Sequence, residues 1–104
     1  MFFKESHMAH EIPHHIEAII PNTEQPPRIL VNAETGALPI IEHNEKYGTR
    51  EGTLHELARR ATGISLGVDQ GLASNKPGTY RYRTKPVATD APISPEYRWA
   101  ETYR

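Results

Sequence analysis

The chain contains no cysteine. That excludes a disulfide framework, a thiolate metal site and a cysteine nucleophile, and it fits a reducing, cytoplasmic setting. No apolar run approaches the roughly 18 residues of a membrane span, so no membrane partner is expected, and "MFFKESHMAHE" is too short and too polar for a secretory signal. Charge of one sign is also missing. Twelve basic and thirteen acidic side chains leave a net charge of −1, which by itself points to no polyanionic partner. The segment Gly48–Gly52 lacks the lysine-then-serine-or-threonine ending of a phosphate-binding loop. Carboxylates are scattered singly, so spacing yields no acid–base pair. These absences leave no expected catalytic residue, cofactor or metal, and the reading is of a non-enzymatic protein.

What is present is unevenly distributed. Nine prolines and a 37% hydrophobic content suit one small domain with extended ends. The expected division is a His-rich arm over residues 1–15, a small α+β domain over 16–85 and a proline-rich tail over 86–104. Residues 1–49 hold three basic groups against seven glutamates; residues 50–104 hold nine basic groups against six acidic ones. Asymmetry between halves hints at a nucleic-acid face. The apolar run in His15–Asn22, stopped by Pro21, predicts a strand, and "NTEQPP" (Asn22–Pro27) a turn or linker. Arg28–Glu42 predicts a hairpin: Ile29–Leu30–Val31, a turn through Glu34–Thr35–Gly36, then Leu38, Ile40 and Ile41. Pro39 inside the second run argues for an edge strand or a bulge.

The stretch "GTLHELARRATGISLGVDQGLASNK" (Gly52–Lys76) carries the helical signal. Thr53 with Glu56 three residues on forms a capping box. Leu54, Leu57, Ala58 and Ala61 share one helical face, and Gly63 is placed as a left-handed stop. Ser65 then caps an expected second helix over 66–74 with Leu66, Val68 or Asp69, and Leu72 inward. Gly67 and Gly71 weaken that helix by about 1 kcal/mol each relative to alanine, so it requires tertiary support. "TYRYRTK" (Thr79–Lys85) alternates as a strand does. The offsets from Ala58 to Val68 and Leu72 suit a helix-turn-helix. "TLHELARRATGIS" resembles the first helix and turn of LacI-type repressors, and the stretch through "TYRYR" looks like small helix-turn-helix modules of phage and homing-endonuclease proteins. The fold expected from periodicity and resemblance together is a β-hairpin or small sheet packed against a helix-turn-helix-like helix pair, with extended termini.

The resemblance implies a DNA-binding protein of phage-like or bacterial type, acting as a homodimer on duplex more than single-stranded DNA. Ser65, Gln70, Ser74 and Asn75 would face a groove, and Arg59, Arg60, Lys76, Arg81, Arg83 and Lys85 would hold phosphates. A second reading comes from "YRWAETYR". Tyr97, Arg98, Trp99 and Tyr103 are residue types that protein interfaces favour, which suits a small interaction module such as a phage-type inhibitor or adaptor of a host protein. Finally, His10-Glu11-Ile12-Pro13-His14 matches a zinc-peptidase pattern in form only. Pro13 breaks the helical face on which both histidines must lie, and His7, His10, His14 and His15 are assigned to the arm without a metal.

Overall fold

The computed structural model describes residues 14–104. The calls that fall on residues 1–13, including His7 and His10, lie outside them. In chain order the elements are β1 (His14–Ile19), β2 (Ile29–Asn32), β3 (Ile40–His43), α1 (Arg50–Thr62), β4 (Val68–Leu72), β5 (Thr79–Thr84) and β6 (Tyr97–Ala100). One sheet has the order β3-β1-β5-β4 and a second pairs β2 with β6. β1 lies parallel to β5 and antiparallel to β3, while β4 is antiparallel to β5.

The central strand sets the layers. Period-two alternation along β1 sends Ile16 and Ala18, and beyond the strand Ile20, into the core; all three are fully buried. Leu54, Leu57, Ala58 and Ala61 of α1 meet them there, with Leu30, Leu66 and Val87 closing the cluster. The alanines let the helix axis approach β1 and β3, against which α1 packs. Gly63 ends the helix at φ +82°, and its amide donates to the Arg59 carbonyl at 2.9 Å, the left-handed stop that only glycine takes without strain.

Four expectations are corrected. First, α1 begins four residues early. Thr49, not Thr53, is its N-cap, accepting from the Gly52 amide at 3.0 Å, while the Thr53 hydroxyl bonds His43 Nδ1 at 2.8 Å. The extra turn brings the Arg50 guanidinium to 4.0 Å from the Tyr80 ring centroid, a tertiary gain invisible to local pattern. Second, no helix spans 66–74: Val68–Leu72 is strand β4, so the helix-turn-helix pair does not exist. With two glycines the segment is a poor helix, and pairing with β5 satisfies its backbone groups. Gly71 leaves flat space over which the Tyr82 ring lies, 3.8 Å from where a Cβ would be.

Third, the two runs of Arg28–Glu42 do not pair with each other: β2 joins β6 and β3 joins β1. Fourth, the termini are not simply extended. His14 and His15 belong to β1, and Tyr97–Ala100 forms β6 with Tyr97 and Trp99 against the core. Among the described residues no helix is long and apolar enough to cross a membrane.

Leu54 is fully buried, and truncating a leucine at such a site removes its transfer energy and leaves a cavity. Leu54→Ala is expected to cost about 2–5 kcal/mol. In a urea titration followed by circular dichroism, the midpoint should fall with an unchanged slope.

Candidate partner-binding cleft

Two loops bring β2 and β6 into a shared cleft. Before β2, the buried Asn22 clamps residues 22–28: its Oδ1 accepts from the Glu24 and Arg28 amides at 3.1 and 2.8 Å, and its Nδ2 donates to Glu24 Oε2 at 3.0 Å. Arg28 therefore leaves a fixed backbone. After β2, the Asn32 side chain accepts from the Glu34 and Thr35 amides, and Gly36 takes φ +74° while donating to the Asn32 carbonyl at 2.9 Å. This turn requires glycine, and it presents the Gly36 carbonyl outward to accept from the Arg104 amide at 2.9 Å.

The register Ile29↔Ala100 and Leu30↔Trp99 then joins these loops to the far end of the chain. The chain bends at Glu101 and returns to Gly36. The result is an open cleft of about 440 Å³ with Arg28, Arg98 and Arg104 around Gly36, Trp99 and Tyr103. A Cβ on Gly36 would meet Arg104 Cγ and Cδ at 3.7 Å and Arg98 Nη2 at 3.8 Å, so two arginine side chains converge on one point over the bare glycine. Arg98 is oriented by its Nε, which donates to the Ala33 carbonyl at 3.3 Å. Among the described residues, no carboxylate lies within ion-pair distance of Arg98 or Arg104. Arg28 has only a 3.7 Å contact to Glu24, with both side chains more than a third exposed, the kind of pair worth little in water. A second opening of about 600 Å³, lined by Ala73–Lys76, Arg81, Tyr103 and Arg104, lies on the other side of Tyr103 and Arg104.

The residues expected to hold DNA are dispersed and mostly engaged. Arg59 donates to Ser65 Oγ at 2.9 Å and Arg60 pairs with Glu56 at 2.7 Å, both on the helix layer. Arg81 and Arg83 project from the opposite face of the sheet. There Glu17, only 1% exposed, accepts from Arg81 Nε and Lys76 Nζ at 2.8 Å each. Arg83 bonds Gln70 and lies 3.4 Å from Asp69. Asn75 lines the second opening, and Lys85 lies along Gly67. Of these cations Arg60, Lys76, Arg81 and Arg83 have carboxylate partners and Arg59 a hydroxyl, and the set is divided between the helix layer and the opposite face of the sheet.

The aromatic and arginine set is brought together instead. Arg98, Trp99 and Tyr103 line one cleft, with Tyr103 also stacked 5.8 Å from the Arg81 guanidinium. Tyr97 packs against the core beside Trp99, and burial, reinforced by Glu96, pushes its phenol above the usual tyrosine range. Sequence reasoning missed Arg28, Gly36 and Arg104. The turn "ETG" and the double proline marked their loops, but only the pairing of β2 with β6 reveals that they meet. No protein-family model matches the chain, and none of the curated proteins compared with it is similar.

Glu17, on the sheet face outside the cleft lining, supplies a testable electrostatic contribution. Burial raises its pKa, but hydrogen bonds and charge from Lys76 and Arg81 outweigh burial and hold it below the ordinary value of 4.5. A carboxyl depressed in the folded state stabilises the protein above its unfolded pKa, and that contribution is lost as pH falls through the folded value. Glu17→Gln is expected to cost about 1–3 kcal/mol near neutral pH and to flatten the stability decline below about pH 4.5. Denaturant titrations from pH 3 to 7 would expose a failure if both proteins decline in parallel.

Proposed function

We propose that the protein is a small non-catalytic interaction module that docks an acidic segment of a partner protein in the β6 cleft. The observation that carries this reading is the convergence of Arg28, Arg98 and Arg104 beside Trp99 and Tyr103, with a single acidic residue, Glu101, in the lining. Guanidinium forks match carboxylates in geometry and charge. Aromatic and arginine side chains supply most of the energy at protein interfaces. Loop clamps at Asn22 and Asn32 preorganise the arginine-bearing backbone, which lowers the ordering cost of binding.

Nucleic acid is the competing occupant of the same charge. A continuous strand needs cations along its length, and Lys76, Arg81 and Arg83 are already committed to Glu17, Asp69 and Gln70. A helix or a two-stranded ribbon can enter a duplex groove. Val68–Leu72 is an edge strand rather than the expected helix, and Arg81 and Arg83 of its ribbon with β5 are engaged within the molecule.

Trp99 is the chain's one tryptophan and lines the cleft, so its emission reports occupancy directly. A glutamate-rich peptide should change Trp99 emission saturably, with affinity falling as salt rises. Arg98→Glu combined with Arg104→Glu should weaken binding by about tenfold or more with an unchanged circular dichroism spectrum. Saturable binding of single-stranded DNA with no response to the peptide would overturn the reading.

A further inference from the structure

We propose that the group recognised at the Arg28–Arg98–Arg104 cleft is a phosphoryl group carried on the partner polypeptide. The inference rests on the reading of the cleft as a protein-docking site and names the chemistry of its occupant.

The argument begins with charge. Arg28, Arg98 and Arg104 line the cleft with one acidic residue, Glu101, and Arg28 has a further 3.7 Å contact to Glu24 outside that lining. Arg98 and Arg104 approach the same point above Gly36 without an intervening acid among the described residues. Like charges gathered this closely repel, and elsewhere on this surface the protein avoids the cost: Glu17 sits between Lys76 and Arg81, and Glu56 beside Arg60. At the cleft Arg98 and Arg104 are exposed and have no such carboxylate among the described residues, so a ligand anion has room to supply the compensating charge. One carboxylate carries a single charge and two oxygens, which leaves most of the cluster unneutralised. A phosphomonoester carries a charge of about −1.5 to −2 with three acceptor oxygens and can engage two forks at once.

Geometry agrees. Arg98 is fixed through Nε on the Ala33 carbonyl, which leaves its terminal nitrogens to bind. Arg104 is fixed by its own amide on Gly36, and its stem lies over that residue. Gly36 itself offers no side chain, so the Arg104 stem and the Arg98 terminal nitrogen can both lie close over it. Trp99 and Tyr103 beside them provide an apolar wall for the peptide that carries the phosphate, and the open, shallow form suits a side chain presented on an extended segment rather than an enclosed metabolite.

The test uses four probes with the full chain, followed by Trp99 emission and by calorimetry: a peptide with one phosphoserine, the same peptide with serine, the same with glutamate, and a 5′-phosphorylated single-stranded oligonucleotide. The phosphopeptide should bind at least about tenfold more tightly than the glutamate peptide, since it brings more charge and a third acceptor oxygen. The serine peptide should be weaker still. Arg98→Lys with Arg104→Lys keeps the charge but removes the forks, and it should erase the phosphate preference without altering thermal unfolding. Equal affinity for the phosphoserine and glutamate peptides would overturn this inference and leave the acidic-segment reading standing. Binding of the oligonucleotide alone would overturn both.

Discussion

The buried carboxylate of Glu17 is the interaction on which the layout depends. A charge so nearly excluded from water is tolerated only when its oxygens are satisfied, and here each takes one cation at 2.8 Å. Because Glu17 alternates with Ile16 and Ala18 along β1, the same strand fixes the apolar core on one side and the charged surface on the other. The parallel register Glu17↔Arg81 thereby sets β5 against β1. It also decides which cations of the 76–85 segment are spent within the molecule.

That distribution explains why the cleft lies elsewhere. Where the sheet face carries acids, its arginines are paired. The β2 and β6 strands carry no acidic residue, and Arg98 has no carboxylate partner among the described residues. Pairing between early and late parts of the chain builds the ribbon, and the side-chain amides of Asn22 and Asn32 hold its two flanking loops. The site is therefore a product of loop clamps placed on a short ribbon, a common way to give surface loops fixed geometry on a scaffold.

The sequence was most legible where one local rule governs. β1 and β5 follow alternation, the inward face of α1 follows helical spacing, and Gly63 stops the helix as its residue type requires. It misled where two patterns overlap. Leu66, Val68 and Leu72 suit a helix face, yet Val68 and Leu72 also fall on an edge strand, and only the availability of β5 as a pairing partner decides between them. Thr53 with Glu56 is the stronger local cap, but the contact of Arg50 with Tyr80 draws the helix start back to Thr49. Of the candidate site, Arg98, Trp99 and Tyr103 were legible as interface residue types. Their convergence with Arg28 and Gly36 was not, because Val31↔Arg98 and Leu30↔Trp99 are contacts between distant segments with no trace in local periodicity.

The hydrogen bond from the Arg104 amide to the Gly36 carbonyl has a practical consequence. It anchors the last turn of backbone on the lip of the arginine cleft, so any polypeptide joined after Arg104 departs directly from that lip. An affinity tag or reporter fused there would stand over the opening and compete with whatever docks in it, making the position of a fusion itself a means of closing the site.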